Sequence, residues 1–245
     1  MERKRAIFNW SGGKDSALAL YHILKGNSYE VDALMTTVNS QYDRISMHGV
    51  RSTLLYAQGE AIGLPIKEIR LPEMPSMSEY DATMKGVLTE LKSKGITDSI
   101  FGDIFLEDLR AYREERLKEV GLIARFPLWK RDTTELMREF IDLGFKTVVV
   151  CTKSEVLGEE FAGRVIDKQF LKDLPKNVDP CGENGEFHTF VFDGPIFKEP
   201  IKYTLGEKVF KEYAAPKDEN DTCFSTSISK KVSGFHFCDL IPEGQ

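Results

Sequence analysis

The chain has 245 residues, enough for one large domain or two small ones. Apolar residues make up 41% and charged residues 29%, which excludes wholesale disorder and leaves material for a sizeable core. Lys plus Arg number 33 against 39 Asp plus Glu, a formal charge of −6, so the global positive field behind general nucleic-acid binding is missing and only a local basic pocket for a phosphate-bearing ligand stays open.

Taken in chain order, Ala6 to Trp10 reads as a buried strand, followed by a Gly-rich turn and a helix from about Ser16. Ala17, Leu20, Tyr21 and Leu24 give that helix its apolar stripe, and Gly26 supplies a stop. Val31 to Val38 predicts a second strand. Leu54, Leu55, Gln58, Ala61 and Ile62 share one face of the next helix, and Ile66 to Leu71 a third strand. After Pro72 and Pro75 come a long helix through Tyr80, Met84, Val87, Leu88 and Leu91, a short strand at Ser99 to Phe101, and a helix through Leu109, Tyr112, Arg116 and Val120. Asp132 and Glu135 have capping-box spacing before a helix through Leu136, Phe140 and Leu143. Thr147 to Cys151 is a β-branched run suited to a buried strand.

This alternation predicts an α/β fold, an open, mostly parallel sheet with helices on both faces. The pattern weakens after Cys151. The expected division is a nucleotide-binding domain over 1–152 and a smaller α+β acceptor domain over 153–245, with Phe187 to Phe192 as its one clear strand. Cys151, Cys181, Cys223 and Cys238 form no Cys-x-x-Cys pair and read as reduced thiols. No apolar run approaches the ~18 residues of a membrane helix, and the stretch after Met1 to Arg5 is too short and polar for a signal peptide, so a cytoplasmic protein with no membrane partner is expected.

Ser11-Gly12-Gly13-Lys14-Asp15-Ser16 lies between a strand and a helix, where parallel sheets bind ligands. Two glycines let the backbone bring N–H groups close to a phosphate, and the helix adds its N-terminal dipole. Ser11 and Ser16 add hydroxyls and Lys14 a charge. Asp15 can cap the helix and help position Mg²⁺, since hard cations prefer oxygen. The competing reading is an ordinary Gly-rich turn. Neither a Walker A loop nor Gly-x-Gly-x-x-Gly is present. The segment resembles the PP-loop of N-type ATP pyrophosphatases, a Rossmann-like superfamily whose loop holds the β- and γ-phosphates of ATP while the α–β bond breaks.

A second polar segment, Asp179-Pro180-Cys181-Gly182-Glu183-Asn184-Gly185-Glu186-Phe187-His188-Thr189, precedes the Phe-rich strand. It resembles the signature of the diphthine–ammonia ligase family, a PP-loop branch. Pro127-Leu128-Trp129, the run Phe140 to Phe145 and Asp193-Gly194-Pro195 continue the likeness in the expected order. The resemblance implies a ligase in which a carboxylate, on a small molecule or carried by a protein, attacks ATP to give an acyl-adenylate and pyrophosphate, and ammonia then displaces AMP. Glu183, Glu186 and His188 are the candidates for accepting a proton from ammonium, with the choice open. Asn184 and Thr189 complete the acceptor side. Each of the three also has a bland reading, a solvated turn carboxylate or a packed histidine.

Gly102-Asp103 follows the Ser99 strand at the same sheet end, and Arg110 and Arg113 suit forked contacts to phosphate or carboxylate. A solvated helix start with local ion pairs explains the arginines equally well. His48 and Arg51 lie at another sheet end, with capping and packing as the alternative for His48. Here the sequence departs from the eukaryotic and archaeal pattern of a Gly-Ala-Ile-type segment and a Tyr-Gln-x-x-Arg-like helix. Asp103 replaces the Ala, and Leu106-Glu107-Asp108 follows. The variant looks like a bacterial branch, where diphthamide is absent and the acceptor is something else. Nucleic acid is not expected as a partner, and a homodimer is one possible assembly. A zinc site from Cys181, His188, Cys223 and Cys238 lacks diagnostic spacing. Thiolation of tRNA through Cys181 and a non-catalytic nucleotide sensor are the alternatives to ligation.

Overall fold

The computed structural model describes residues 3–45, 49–72, 75–213 and 233–243. The first sheet is built on β1 (Lys4–Asn9), which pairs in parallel with β2 (Tyr29–Asn39) and β5 (Asp98–Ile100). Parallel to these, β4 (Ile66–Leu71) extends the sheet beside β2, and β6 (Ile123–Arg125) beside β5. A two-residue strand, β3 (Arg44–Ile45), runs antiparallel to the end of β2.

Strand alternation sends β1 side chains to opposite faces. Ala6 and Phe8 join a core with Ala17 and Leu20 of α1 (Lys14–Gly26) and Leu54 and Leu55 of α2 (Ser52–Ile62). Ile7 joins a second core with Leu88 and Leu91 of α3 (Met77–Ser93) and Leu117 of α4 (Glu107–Glu119). Helices thus cover both faces, as the continuous apolar reading of Ala6 to Trp10 requires.

The second sheet is antiparallel throughout and smaller. It contains β7 (Lys146–Lys153), β8 (Phe187–Asp193), β9 (Tyr203–Tyr213) and β10 (Ser233–Pro242) in the order β8-β7-β10-β9. α5 (Thr133–Asp142) precedes it and α6 (Lys168–Asp173) lies between β7 and β8. The expected division at 152/153 separates β7 from its sheet partners. β7 belongs to the second sheet, so the chain changes sheets between β6 and β7. A β-branched buried run fits either sheet, and only pairing partners tell them apart. The two sheets share one core, which holds Phe8 and Leu54 together with Val148 and Phe190.

Candidate active site

The glycine loop joins β1 to α1. Gly12 sits at φ +78, in the region that favours glycine, and a Cβ there would come within 2.7 Å of the Gln58 amide oxygen. Gly13 is the N-cap of α1 and supplies no side-chain cap. The first turn of the helix thus receives no cap from its own N-cap residue. Asp15 stands inside the helix, not at its cap. Ser16 Oγ donates to the Gly13 carbonyl at 2.8 Å, Ser11 Oγ lies 3.1 Å from Ser16 Oγ, and Gly13 N–H donates to Ser11 Oγ at 3.3 Å.

Strand β8 of the second sheet closes against this loop. Lys14 N–H donates to Thr189 Oγ1 at 3.0 Å, and Val191 N–H to the Gly12 carbonyl at 2.9 Å. Gly102 closes the other side, since a Cβ there would lie 2.9 Å from the Ser16 backbone nitrogen. Its role is close approach of backbone to backbone.

Lys14 is 3% exposed and its ammonium lies 2.7 Å from Asp15 Oδ2, over the ring of Phe187. Burial alone depresses its basicity, but Asp15, Cys181 and Glu183 hold it above the ordinary lysine value. Burial in turn holds Asp15 above the usual carboxylate range, against the pull of Lys14. The lysine is therefore turned toward a group of carboxylates.

The second loop supplies those carboxylates. Asp179 organises it. One oxygen accepts from Cys181 and Glu183 N–H and the other from Thr133 Oγ1 at 2.7 Å, which ties the turn to the start of α5. Glu186 is 5% exposed. Its oxygens accept from Asp179 N–H, Asn184 N–H and Asn184 Nδ2, at 3.1, 2.9 and 3.0 Å. Its carboxylate thus serves as an internal staple. Glu183 differs. One of its oxygens accepts from Ile104 N–H at 3.0 Å, and no described hydrogen bond takes the other. Burial, reinforced by Asp15 and Asp103, pushes its carboxyl up to about 8. His188 is half-buried on β8 and paired across the sheet with Cys151.

The remaining candidates divide. Asp103 sits beside this site in an ion pair with Arg113, Nε to Oδ2 at 3.0 Å, and Arg113 lies over the Phe101 ring. Arg110 pairs with Glu114 and packs on Phe126 and Trp129. Both arginines are thus engaged within the chain. Arg51 forms, with Arg44, a clamp on Asp239 of β10 and lines a separate cleft of about 330 Å³. His48 lies outside the described residues, as does Cys223. Among the described residues no group of three or more His, Cys, Asp or Glu side chains is arranged to hold a metal ion by itself.

Sequence reasoning passed over Asp179 and Thr133 as turn and helix residues, and counted Gln58 as part of a helix face. The available signal at Gln58 was an amide on an otherwise apolar stripe.

Residues 4–124 match the family model of the diphthamide synthase N-terminal domain, and residues 132–217 that of the C-terminal domain. The chain belongs to the diphthamide synthase family. Its relatives include proteins named diphthine–ammonia ligase. The one from Homo sapiens is 27% identical over 81% of this chain and 82% of its own length. The one from Rattus norvegicus is 26% identical over 92% and 90%. The Saccharomyces cerevisiae protein is 28% identical over 77% of this chain but only 33% of its own length, so this family member spans about a third of it. Among solved structures, a U34-tRNA thiolase from Methanococcus maripaludis aligns over 58% of this chain and 57% of its own, with 18% identity and a TM-score of 0.36, and that likeness carries no weight here. No helix among the described residues of this family member is long and apolar enough to cross a membrane.

Proposed function

We propose that the protein is an ATP-dependent amide ligase that adenylates a carboxylate and amidates it with ammonia. The observation that carries this reading is the meeting of the glycine loop with a turn that presents a partly buried, raised-pKa carboxyl, Glu183, beside Lys14 and Asp15. The backbone N–H groups at the start of α1, with Ser11, Gly12, Gly13 and Ser16, hold the outer phosphates of ATP. Asp15 is an oxygen donor at the loop, and Asp103 and Glu183 stand near it. One or two carboxylates plus phosphate oxygens are what magnesium commonly uses, so the donor set fits that ion without a dedicated protein cage. The ion supplies neutralisation of charge on the departing pyrophosphate.

In the first step an acceptor carboxylate oxygen bonds to the α-phosphorus, and the bond to the β-phosphate oxygen breaks. In the second, ammonia bonds to the acyl carbon, AMP leaves with the acyl C–O electrons, and the nitrogen releases one proton to solvent to give the neutral amide. Ammonium must first give up a proton. Glu183, with one oxygen that accepts no described hydrogen bond and a carboxyl pushed up to about 8, is better suited to take it than Glu186, whose oxygens are occupied. Lys14 keeps that cluster of negative charge from accumulating unopposed.

Two observations weigh against thiolation. Burial pushes the Cys181 thiol far up, and its Sγ donates to the Thr133 carbonyl at 3.4 Å, so it is an inert packed thiol. A sensor would bind ATP without turnover.

The test supplies ATP, Mg²⁺ and ammonium with diphthine or with simpler carboxylates. The expected result is AMP and pyrophosphate in equal amounts, dependent on both ammonium and carboxylate. Asp15→Asn should lower that rate about a hundredfold or more with the fold retained. Production of ADP and phosphate, or ATP binding without acceptor-dependent pyrophosphate exchange, would overturn the reading.

A further inference from the structure

Gln58 is fully buried, at 0% exposure, on α2, and all of its hydrogen-bonding groups have partners. Its Oε1 accepts from the indole N–H of Trp10 at 2.9 Å. Its Nε2 donates to the Gly12 carbonyl at 2.9 Å and to the Val191 carbonyl at 2.7 Å. An indole N–H only donates and a carbonyl only accepts, so the amide has one orientation that satisfies every group.

The Gly12 carbonyl thus receives two donors, Gln58 Nε2 and Val191 N–H. The 12–13 peptide is trans, so its N–H points away from its carbonyl. Pinning the carbonyl toward α2 and β8 turns the Gly13 N–H into the loop, where it reaches Ser11 Oγ. A glycine pair free to rotate offers no such fixed donor, because Gly12 carries no side chain to limit it.

We infer that Gln58 is a positioning residue for the phosphate site. It orients the Gly12–Gly13 peptide toward the outer phosphates and latches the loop to β8, with Trp10 fixing which way the amide faces. This inference rests on the reading of the loop as a phosphate cradle.

The experiment measures equilibrium binding of ATP, pyrophosphate and AMP to the full chain and to Gln58→Met, a variant of similar volume without the amide. ATP and pyrophosphate should each bind about tenfold more weakly or worse, since the Gly13 donor is no longer aimed where phosphate charge is greatest. AMP affinity should be unchanged. A general loss of structure would weaken all three together, and that result overturns the inference. So does wild-type affinity for pyrophosphate in the variant. Trp10→Phe is the second variant. It removes the donor to Oε1, along with part of a buried ring, and should weaken pyrophosphate binding in the same direction, with no added loss in the Gln58→Met background. Additive losses in the double variant count against the latch, and if Gln58→Met does not fold, unchanged pyrophosphate binding in Trp10→Phe does the same. A wild-type protein that binds neither ATP nor pyrophosphate instead sinks the cradle reading itself.

Discussion

Glu183 and Glu186 are three positions apart in the same turn, yet their surroundings give them different work. Glu186 is held by three donors from its own loop. Glu183 meets one donor and the field of Asp15 and Asp103. A carboxyl that titrates near 8 is mostly protonated at pH 7, so the base form grows as pH rises. The rate of AMP formation should climb through about pH 8 in the wild type, and Glu183→Gln should lose both that limb and most of the rate. Stability runs the other way. The folded pKa lies above the unfolded one, so the contribution is complete below the unfolded value and is lost as pH rises through about 8. Melting temperatures followed from pH 5 to 9 should therefore fall more steeply in the wild type than in Glu183→Gln. Parallel curves would remove the assigned environment. Sequence alone named both glutamates but could not separate them, because the difference comes from burial in the folded chain and from Asp15, Ile104 and Asp103, far away in the sequence.

At the scale of elements, hydrophobic period located β1, α2, β4 and β8 well, since each buries a regular set of side chains. β9 and β10 left no such trace. β9 is largely exposed and carries Glu207, Lys208, Lys211 and Glu212 among its apolar residues, so its pattern does not alternate cleanly. α3 begins at a reciprocal capping box of Ser76 and Glu79, whereas at the head of α5 the Asp132 side chain accepts from Glu135 N–H and the described bonds include no return from the Glu135 side chain. These caps separate stability from function. Ser76→Ala should cost about 1 kcal/mol in denaturant titration and leave ATP binding intact. Asp179→Ala strips acceptors from Cys181, Glu183 and Thr133, and should cost about 2 kcal/mol while also impairing turnover. Equal effects of both variants on turnover would show that the Asp179 turn has no special part in the site.

For the whole molecule, the decisive feature is that β8 serves two loops. Its first residues follow the carboxylate turn, and Thr189 and Val191 hold the glycine loop. Sequence placed these two motifs in separate regions and predicted that both matter. It did not show their contact, because strand pairing across sheets leaves no local mark. Hydrogen exchange makes the linkage measurable. ATP added to the intact chain should slow amide exchange over 11–16 and also over 187–191. Protection confined to the glycine loop would contradict a mechanical tie between them.

Lys14 and Thr189, which meet at the mouth of the loop, are 175 positions apart. The glycine turn is therefore synthesised well ahead of the strand whose Thr189 clasps it. Between those two moments the nascent chain carries the turn without its clasp, and the proposed nucleotide grip is complete only after the strand bearing Thr189 has emerged and docked.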